Sequence, residues 1–390
     1  DLEKVGRSVG TIYSLNTLGA IIGAFAAGFI IVPYLGAEKT LIICSVLNLV
    51  LGVALVLTFA KEIRKPVKTF AAAATGLICL WSLQQPEIWD HIMLLSSQKE
   101  RRALAFNKYA LPTYEEFARN LHDTFDILFW KDGFCANVAV LKAKSDSLRT
   151  LYTSGHADAS DSSDMRSQAL PSCYALLLRP DSKDVAVVGW GSGVMLGYGL
   201  QFPINKMVCA EIEPAVKDAA VFFDHVSLKP QDDPRLRFES NDGRNFLLAT
   251  GEKFDTILSH PSNPWQAGVC NLFTSDYFGV AKSRLNPGGV FAMWFQHAEV
   301  SSDNMLRVLS ALRQEFKHVL VIETDSTDIC ALASDEPLEI KLDTMAKSFA
   351  DKKVATALAN FELNSAEDVA ARVCLASSQV DKLVKEVPPN

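Results

Sequence analysis

Two stretches without a formal charge, Thr11 to Val32 and Thr40 to Ala60, constrain this chain more than any other feature. At 22 and 21 residues, each is long enough to cross a hydrocarbon core of about 30 Å as a helix. In lipid a lone segment has little choice, because only a helix satisfies all its backbone N–H and C=O groups internally. Gly19 and Gly23 stand at GxxxG spacing, with Ala20, Ala24 and Ala27 nearby, a pattern that lets helices approach closely. The alternative is a buried helical hairpin in a soluble fold. A third run, Thr69 to Leu83, has 15 residues and fits a short span, a re-entrant segment or an interfacial helix. Lys4 and Arg7 precede the first run, and Lys61, Arg64, Lys65 and Lys68 follow the second, with Lys39 alone between them. That asymmetry predicts cytoplasmic outer flanks. Lys99, Arg101 and Arg102 follow the third run, so charge leaves the side of the remaining chain undecided. The expectation is a multi-pass membrane protein in contact with lipid.

The 390 residues are 49% hydrophobic, with mean hydropathy +0.13, and the excess sits in the first 85 or so. The rest has the composition of a globular chain. A net charge of −7 gives no domain-wide basic surface, so no nucleic-acid partner is expected. Eight scattered cysteines, no two at CxxC spacing, predict no zinc site, and no metal is expected. The chain opens on Asp1 with no signal-peptide layout, which suggests a piece of a longer protein.

Beyond the apolar region, a helix is predicted over Thr113 to Asp123, then short strands over Ala136 to Leu141 and Leu148 to Thr153, punctuated by Gly133 and Gly155. These read as a small antiparallel sheet. Asp158 to Asp164, rich in Ser and Asp, reads as a loop. From Asp184 the pattern changes to strands alternating with helices. Strands are predicted at Asp184 to Val188, Met207 to Ile212, Arg235 to Glu239, Phe254 to Ser259 and Val290 to Phe295. Helices fall near Ala215 to His225 and Phe273 to Leu285. Such alternation predicts an α/β fold with a parallel, doubly wound sheet of Rossmann type. Two more strands are expected within His318 to Leu332, and polar helix beyond Leu338. The expected division is 1–85 for the membrane helices, 86–170 for a linker helix and small sheet, 171–335 for the Rossmann-type domain, and 336–390 for a helical extension.

Gly189, Gly191 and Gly193 close the first of these strands. Glycines there let backbone approach a ligand, and the following helix N-terminus favours anionic groups. Glu211 follows about 20 residues on, where a carboxylate accepts hydrogen bonds from ribose hydroxyls. The G-x-G-x-G spacing is closer to methyltransferase-like sheets than to dinucleotide dehydrogenases. A glycine turn beside a surface Glu would look the same. Asp242, in Asn-Asp-Gly-Arg, is placed to reach an adenine amino group or to cap the helix near Arg244 to Leu248. Ser259-His260-Pro261-Ser262-Asn263-Pro264-Trp265 follows a strand directly, so His260 and Asn263 fall at the same edge. His260 takes up a proton near neutral pH and Asn263 offers both donor and acceptor. A structural turn with an exposed His is the plain alternative.

Val-Val-Gly-Trp-Gly-Ser-Gly (187–193), Ala-Glu-Ile-Glu-Pro (210–214), Asn-Asp-Gly-Arg-Asn-Phe-Leu (241–247), Ser-Asn-Pro (262–264), Asn-Leu-Phe-Thr (271–274) and Pro-Gly-Gly-Val (287–290) together resemble a spermidine synthase, or polyamine aminopropyltransferase, domain. The likeness covers about Asp132 to Ala333. Gly-Thr-Ile-Tyr-Ser-Leu-Asn-Thr-Leu-Gly-Ala (10–20) is similar to the membrane part of the fused, multi-pass members. Those place several transmembrane helices, sometimes transporter-like, ahead of the synthase-like domain, and the comparison implies truncation at both ends.

The resemblance implies decarboxylated S-adenosylmethionine or S-adenosylmethionine as co-substrate, held by Gly189, Gly191, Gly193, Glu211 and Asp242. It implies a small-molecule amine as acceptor, His260 and Asn263 as catalytic candidates, and a possible homodimer. Cytosolic supply of the ligand would favour the cytoplasmic side. Soluble members carry an aspartate at each of the positions of His260 and Asn263, and this chain has neither. The family's glutamine-bearing strand end reads Gly155-His156-Ala157-Asp158. The expected activity is aminopropyl transfer to an amine by a membrane-anchored protein. The alternatives are an S-adenosylmethionine-dependent methyltransferase and an inactive ligand-sensing domain attached to a transporter-like membrane region.

Overall fold

The computed structural model describes residues 2–60, 62–84, 89–95, 113–266, 268–297 and 300–388. Lys61, Lys99, Arg101 and Arg102, read above as flanking charges, lie outside the described residues. The chain forms two compact units, one of residues 1–123 with 130–138 and one of residues 124–129 with 139–390.

The first unit carries three helices long and apolar enough to cross a membrane: Val5–Leu35, Ala37–Phe59 and Lys65–Leu83. The third has 19 residues, longer than its uncharged run suggested, because the helix begins at Lys65 with Pro66 in its first turn. A proline there gives up only an N–H that has no helical partner anyway. The first helix relaxes to π geometry over Ala27–Ile31, one turn ahead of Pro33, which lacks the N–H that regular α-helix needs. Gly36, at φ 85°, then ends it. The next helix opens with the Ala37 N–H donating to Asp132 Oδ2 at 2.8 Å. Leu15, Ile22, Phe29, Leu47 and Leu51 are exposed along these helices.

The small sheet has four strands in the order β1 (Phe125–Asp132), β2 (Asn137–Ala143), β3 (Arg149–Thr153) and β4 (His156–Ser160). Two of these were legible in the sequence. Strand β4 occupies part of the segment expected as loop. Ser160 joins the ladder opposite Thr150, while Asp158 stands outside the pairing and accepts a hydrogen bond from the Thr153 hydroxyl.

The large sheet has eight strands. In chain order they are β5 (Asp184–Val188), β6 (Lys206–Glu211), β7 (Leu236–Ser240), β8 (Phe254–Ser259), β9 (Leu285–Gln296), β10 (His318–Glu323), β11 (Asp328–Ser334) and β12 (Val373–Leu375). The spatial order is β12-β10-β11-β9-β8-β5-β6-β7. β5 to β9 pair in parallel, as the alternation of strand and helix requires. The other edge is antiparallel. β11 runs against β9, β10 against β11 and β12 against β10, so the sheet is mixed rather than uniformly parallel. β12 comes from the C-terminal stretch read as wholly helical.

Alternate residues of each strand feed the two faces. Ala186, Val208, Ile257, Phe291 and Met293 join Phe246, Tyr277, Phe278, Leu309 and Phe316 in one buried core beneath helices Gly243–Ala249, Ser275–Ser283 and Ser302–Glu315. Phe291 and Phe316 stack there with ring centroids 5.9 Å apart. Each such aromatic stabilises the fold by roughly 1.5–3 kcal/mol through burial. Helix Met165–Leu178 packs against β8, β9 and β11 and is buried over nearly its whole length, Ser167 to Leu177.

Candidate functional site

Parallel strands end on a common edge, and the loops leaving that edge are the natural ligand positions of such a sheet. Backbone hydrogen bonds knit this edge together: Gly189 N–H donates to Ala210 O at 2.9 Å, Asn241 N–H to Glu211 O at 3.1 Å, and His260 N–H to Val188 O at 3.1 Å. The loops after β5, β6, β7 and β8 therefore leave side by side. They carry the residues singled out by sequence: Gly189, Gly191 and Gly193, then Glu211, Asp242, and His260 with Asn263.

Gly189 has φ 96°, and a Cβ there would stand 2.9 Å from the His260 carbonyl oxygen, so a side chain is excluded both by conformation and by the neighbouring loop. Gly193, at φ 84°, caps helix Val194–Gly199. Between them Trp190 is buried, its ring edge-on to Phe238 at 5.6 Å with the Lys217 ammonium near both rings. Ser192 donates to Gln168 Oε1, tying the loop to helix Met165–Leu178.

Glu211 is buried, with both carboxylate oxygens engaged: Oε2 accepts the Trp190 N–H at 2.8 Å and Oε1 the Glu213 N–H at 2.9 Å. Burial raises its pKa above the ordinary carboxylate value, against the lowering by these two amides. Each oxygen keeps a second lone pair for a ligand hydroxyl. Asp242 is the N-cap of helix Gly243–Ala249, its Oδ1 accepting the Asn245 N–H at 2.7 Å. The capping reading of Asp242 thus holds, and one oxygen is committed to it.

His260 sits with its ring 5.1 Å from that of Trp294. Although a small part of the residue reaches the surface, burial pushes the imidazole pKa down to about 4, so it is neutral near pH 7. Asn263 is buried. Its Nδ2 lies 3.4 Å from His156 Nε2, and its Oδ1 has no hydrogen-bond partner among the described residues. His156 Nδ1 in turn lies 3.3 Å from Asp158 Oδ1. Further along the edge, Gln296 on β9 faces Asp328 on β11 in register. Gln296 Oε1 and Asp328 Oδ1 are buried without partners among the described residues. Burial, then Asp325, raises the Asp328 pKa to about 7.

Sequence reasoning noted His156 and Asp158 only as a departure from the family's strand end, and it missed Gln168 and Asp328. The helix that carries Gln168 is buried on all sides and so shows no polar face to betray it. Among the described residues no group of three or more His, Cys, Asp and Glu converges as a metal site would require.

Residues 172–326 match the family model described as spermine/spermidine synthase domain. The chain is similar to the polyamine aminopropyltransferase of Nitrosomonas europaea (31% identity over 138 residues, 35% of this chain and 42% of the relative). It is also similar to that of Klebsiella pneumoniae (35% identity over 118 residues, 30% of this chain and 41% of the relative). The chain thus spans about two fifths of the length of these relatives, 42% and 41%. In fold it resembles a spermidine synthase solved in complex with the transition-state analogue AdoDATO (TM-score 0.54, 17% identity, 66% of this chain and 87% of that one). It also resembles spermidine synthase from Thermotoga maritima (TM-score 0.52, 17% identity, 66% and 87%). The domain match thus sits on the sheet whose edge carries the glycine loop, Glu211 and the Asn263 turn, and residues 172–326 are similar to a spermine/spermidine synthase domain.

Proposed function

We propose that this chain is a membrane-anchored transferase of the aminopropyl type. It binds decarboxylated S-adenosylmethionine, or S-adenosylmethionine itself, along the loops after β5, β6 and β7, and passes the alkyl group to an amine beside the loop after β8. The observation that carries the reading is the Glu211 carboxylate, buried at the strand end and bonded to the Trp190 amide of the glycine loop. Loop and carboxylate are thereby held as one rigid receptor for a ribose, with Gly189 and Gly191 leaving backbone open to the nucleoside. Asp242 lies one strand further out, where its second oxygen is placed for an adenine amino group. The three apolar helices of the first unit supply the anchor.

The acceptor end is less charged than an amine substrate would ordinarily meet. Asn263 carries no charge and His260 is neutral, so neither holds a cation by Coulomb attraction. That favours, as a second reading, alkyl or methyl transfer to an uncharged acceptor on the same ligand. Calorimetry of the full chain with both sulfonium nucleosides, followed by turnover with putrescine, separates these. Preference for the decarboxylated ligand together with formation of a longer polyamine supports aminopropyl transfer. Preference for S-adenosylmethionine with no amine product supports the second reading. Failure to bind either ligand rules out both.

A further inference from the structure

Attack by a primary amine requires its lone pair, and at neutral pH the amine arrives as an ammonium ion, so a base at the edge must take a proton. Four side chains there are poor choices. Asn263 has no basicity, Asp242 is occupied as a helix cap, and both Glu211 oxygens accept backbone amides. Burial against Trp294 leaves the His260 imidazole a feeble base.

A better-presented group comes from the small sheet. β3 and β4 are joined by Ser154 and Gly155, both at positive φ (49° and 78°), the signature of a tight two-residue hairpin turn. His156 follows at once and is therefore presented by a short, stiff element. The ladder then slips: Tyr152 pairs with Ala157 but Leu151 with Ala159, leaving Asp158 as the extra residue of a β-bulge. Bulges re-aim side chains, and here the bulged Asp158 reaches back to His156 Nδ1 at 3.3 Å, while its other oxygen takes the Thr153 hydroxyl. A carboxylate on Nδ1 fixes the proton there and leaves Nε2 with the lone pair. Nε2 accepts the Asn263 Nδ2–H at 3.4 Å, a long contact that an arriving ammonium N–H would replace, and the Asn263 Oδ1 is a buried acceptor without a donor among the described residues.

We propose that His156, oriented by Asp158, is the base that deprotonates the attacking amine, and that Asn263 positions that amine through Oδ1. This rests on the aminopropyl-transfer reading. In the step, R–NH3+ gives one proton to His156 Nε2 and keeps the lone pair. The nitrogen bonds to the methylene carbon next to sulfur, and the carbon–sulfur bond breaks with its electron pair going to sulfur. The products are a neutral thioether, a secondary ammonium ion and an imidazolium. His156, with 39% of its side-chain surface exposed, returns its proton to solvent. Asp158 faces it from its own strand, and the loop after β8 presents the uncharged Asn263.

The test uses the full chain with decarboxylated S-adenosylmethionine and putrescine, following kcat against pH and nucleoside affinity by calorimetry. His156→Gln is expected to lower kcat about 100-fold or more while nucleoside affinity changes less than about threefold. Free imidazole should restore part of the rate in His156→Ala. Asp158→Asn, a change at a positioning residue, should lower kcat about tenfold and move the acid limb of the profile to lower pH. Retention of kcat within threefold in His156→Gln overturns the assignment, as does an acid limb that responds to His260→Gln instead. If the wild type binds the nucleoside yet makes no aminopropyl product, the reading beneath the inference fails, and the inference with it.

Discussion

The Glu211 carboxylate accepts the Trp190 backbone N–H at 2.8 Å, joining the end of β6 to the glycine loop that leaves β5. One side chain thus ties the fold together and, on the proposed function, also meets the ligand. Glu211→Ala should leave the buried Trp190 and Glu213 amides unsatisfied, at a cost of about 1–3 kcal/mol each at most, and remove the ribose acceptor. Glu211→Gln restores one acceptor but sets an amide N–H2 against at least one of these donors. The expected order of nucleoside affinity is wild type, then Gln, then Ala, with a fall of at least tenfold for Ala. Calorimetry beside a thermal melt checks it, and an Ala variant that melts lower but binds equally well would remove Glu211 from the ligand site.

Close packing behind the loop gives a sharper stability contrast. A Cβ on Gly197 would stand 1.7 Å from the Ser227 carbonyl oxygen, a backbone atom that cannot step aside cheaply. Gly197→Ala should therefore cost about 3 kcal/mol or more, at the upper end of overpacking. Gly251 has no heavy atom within 4 Å of its would-be Cβ, and Gly251→Ala should be close to neutral. Denaturant midpoints of the two variants test the difference, and equal midpoints would contradict the packing described.

Much of this edge was legible in the sequence because it is local. Asp184–Val188 and Phe254–Ser259 were predicted to the residue, since an apolar run bounded by polar turns leaves a buried parallel strand few alternatives. Glu211 was singled out by its distance from the glycine cluster, and Asp242 by its place after a predicted strand. What escaped depends on long-range pairing. Ser160 reads as loop chemistry until Thr150 pairs with it, and Val373–Leu375 is too short to announce a strand until β10 lies beside it. The contact of His156 with Asn263 spans 107 positions, and no local pattern encodes it.

Two buried groups should tilt stability in opposite directions with pH. An unfolded imidazole titrates near about 6.5, whereas His260 in the fold titrates at about 4. Between these values the unfolded chain holds a proton the folded chain lacks, so stability falls as pH drops, by at most about 1.4 kcal/mol per unit. Asp328 is raised to about 7, against an unfolded value near about 3.9. Over that window the folded chain holds the extra proton, so stability falls as pH rises. Between pH 4.5 and 7, melting temperatures should rise more steeply with pH in Asp328→Asn, where Asp328 no longer offsets His260, than in His260→Gln. Parallel curves for the two variants would show that neither group is buried as described.

The apolar helices carry their own test. Val5–Leu35 and Ala37–Phe59 hold few charges and expose their leucines and phenylalanines along their length. Alkaline carbonate strips proteins held by charge or partner contacts, but not helices that span the bilayer. The chain should stay with the membrane under carbonate and dissolve only with detergent. Release by carbonate alone would refute the spans.

Asp242 separates capping from recognition, because one oxygen is already assigned. Its Oδ1 accepts the Asn245 N–H at 2.7 Å, a bond that a serine hydroxyl at the same position also provides. Asp242→Ser should therefore keep most of the helix stability, while Asp242→Ala loses about 1 kcal/mol with the cap. Neither variant retains the second carboxylate oxygen. If that oxygen meets the adenine amino group, both variants should lose nucleoside affinity by a similar factor, about tenfold, despite their different stabilities. If affinity instead follows stability, with Ser near wild type and Ala weakened, Asp242 acts through the helix alone and the adenine contact must come from elsewhere on the edge.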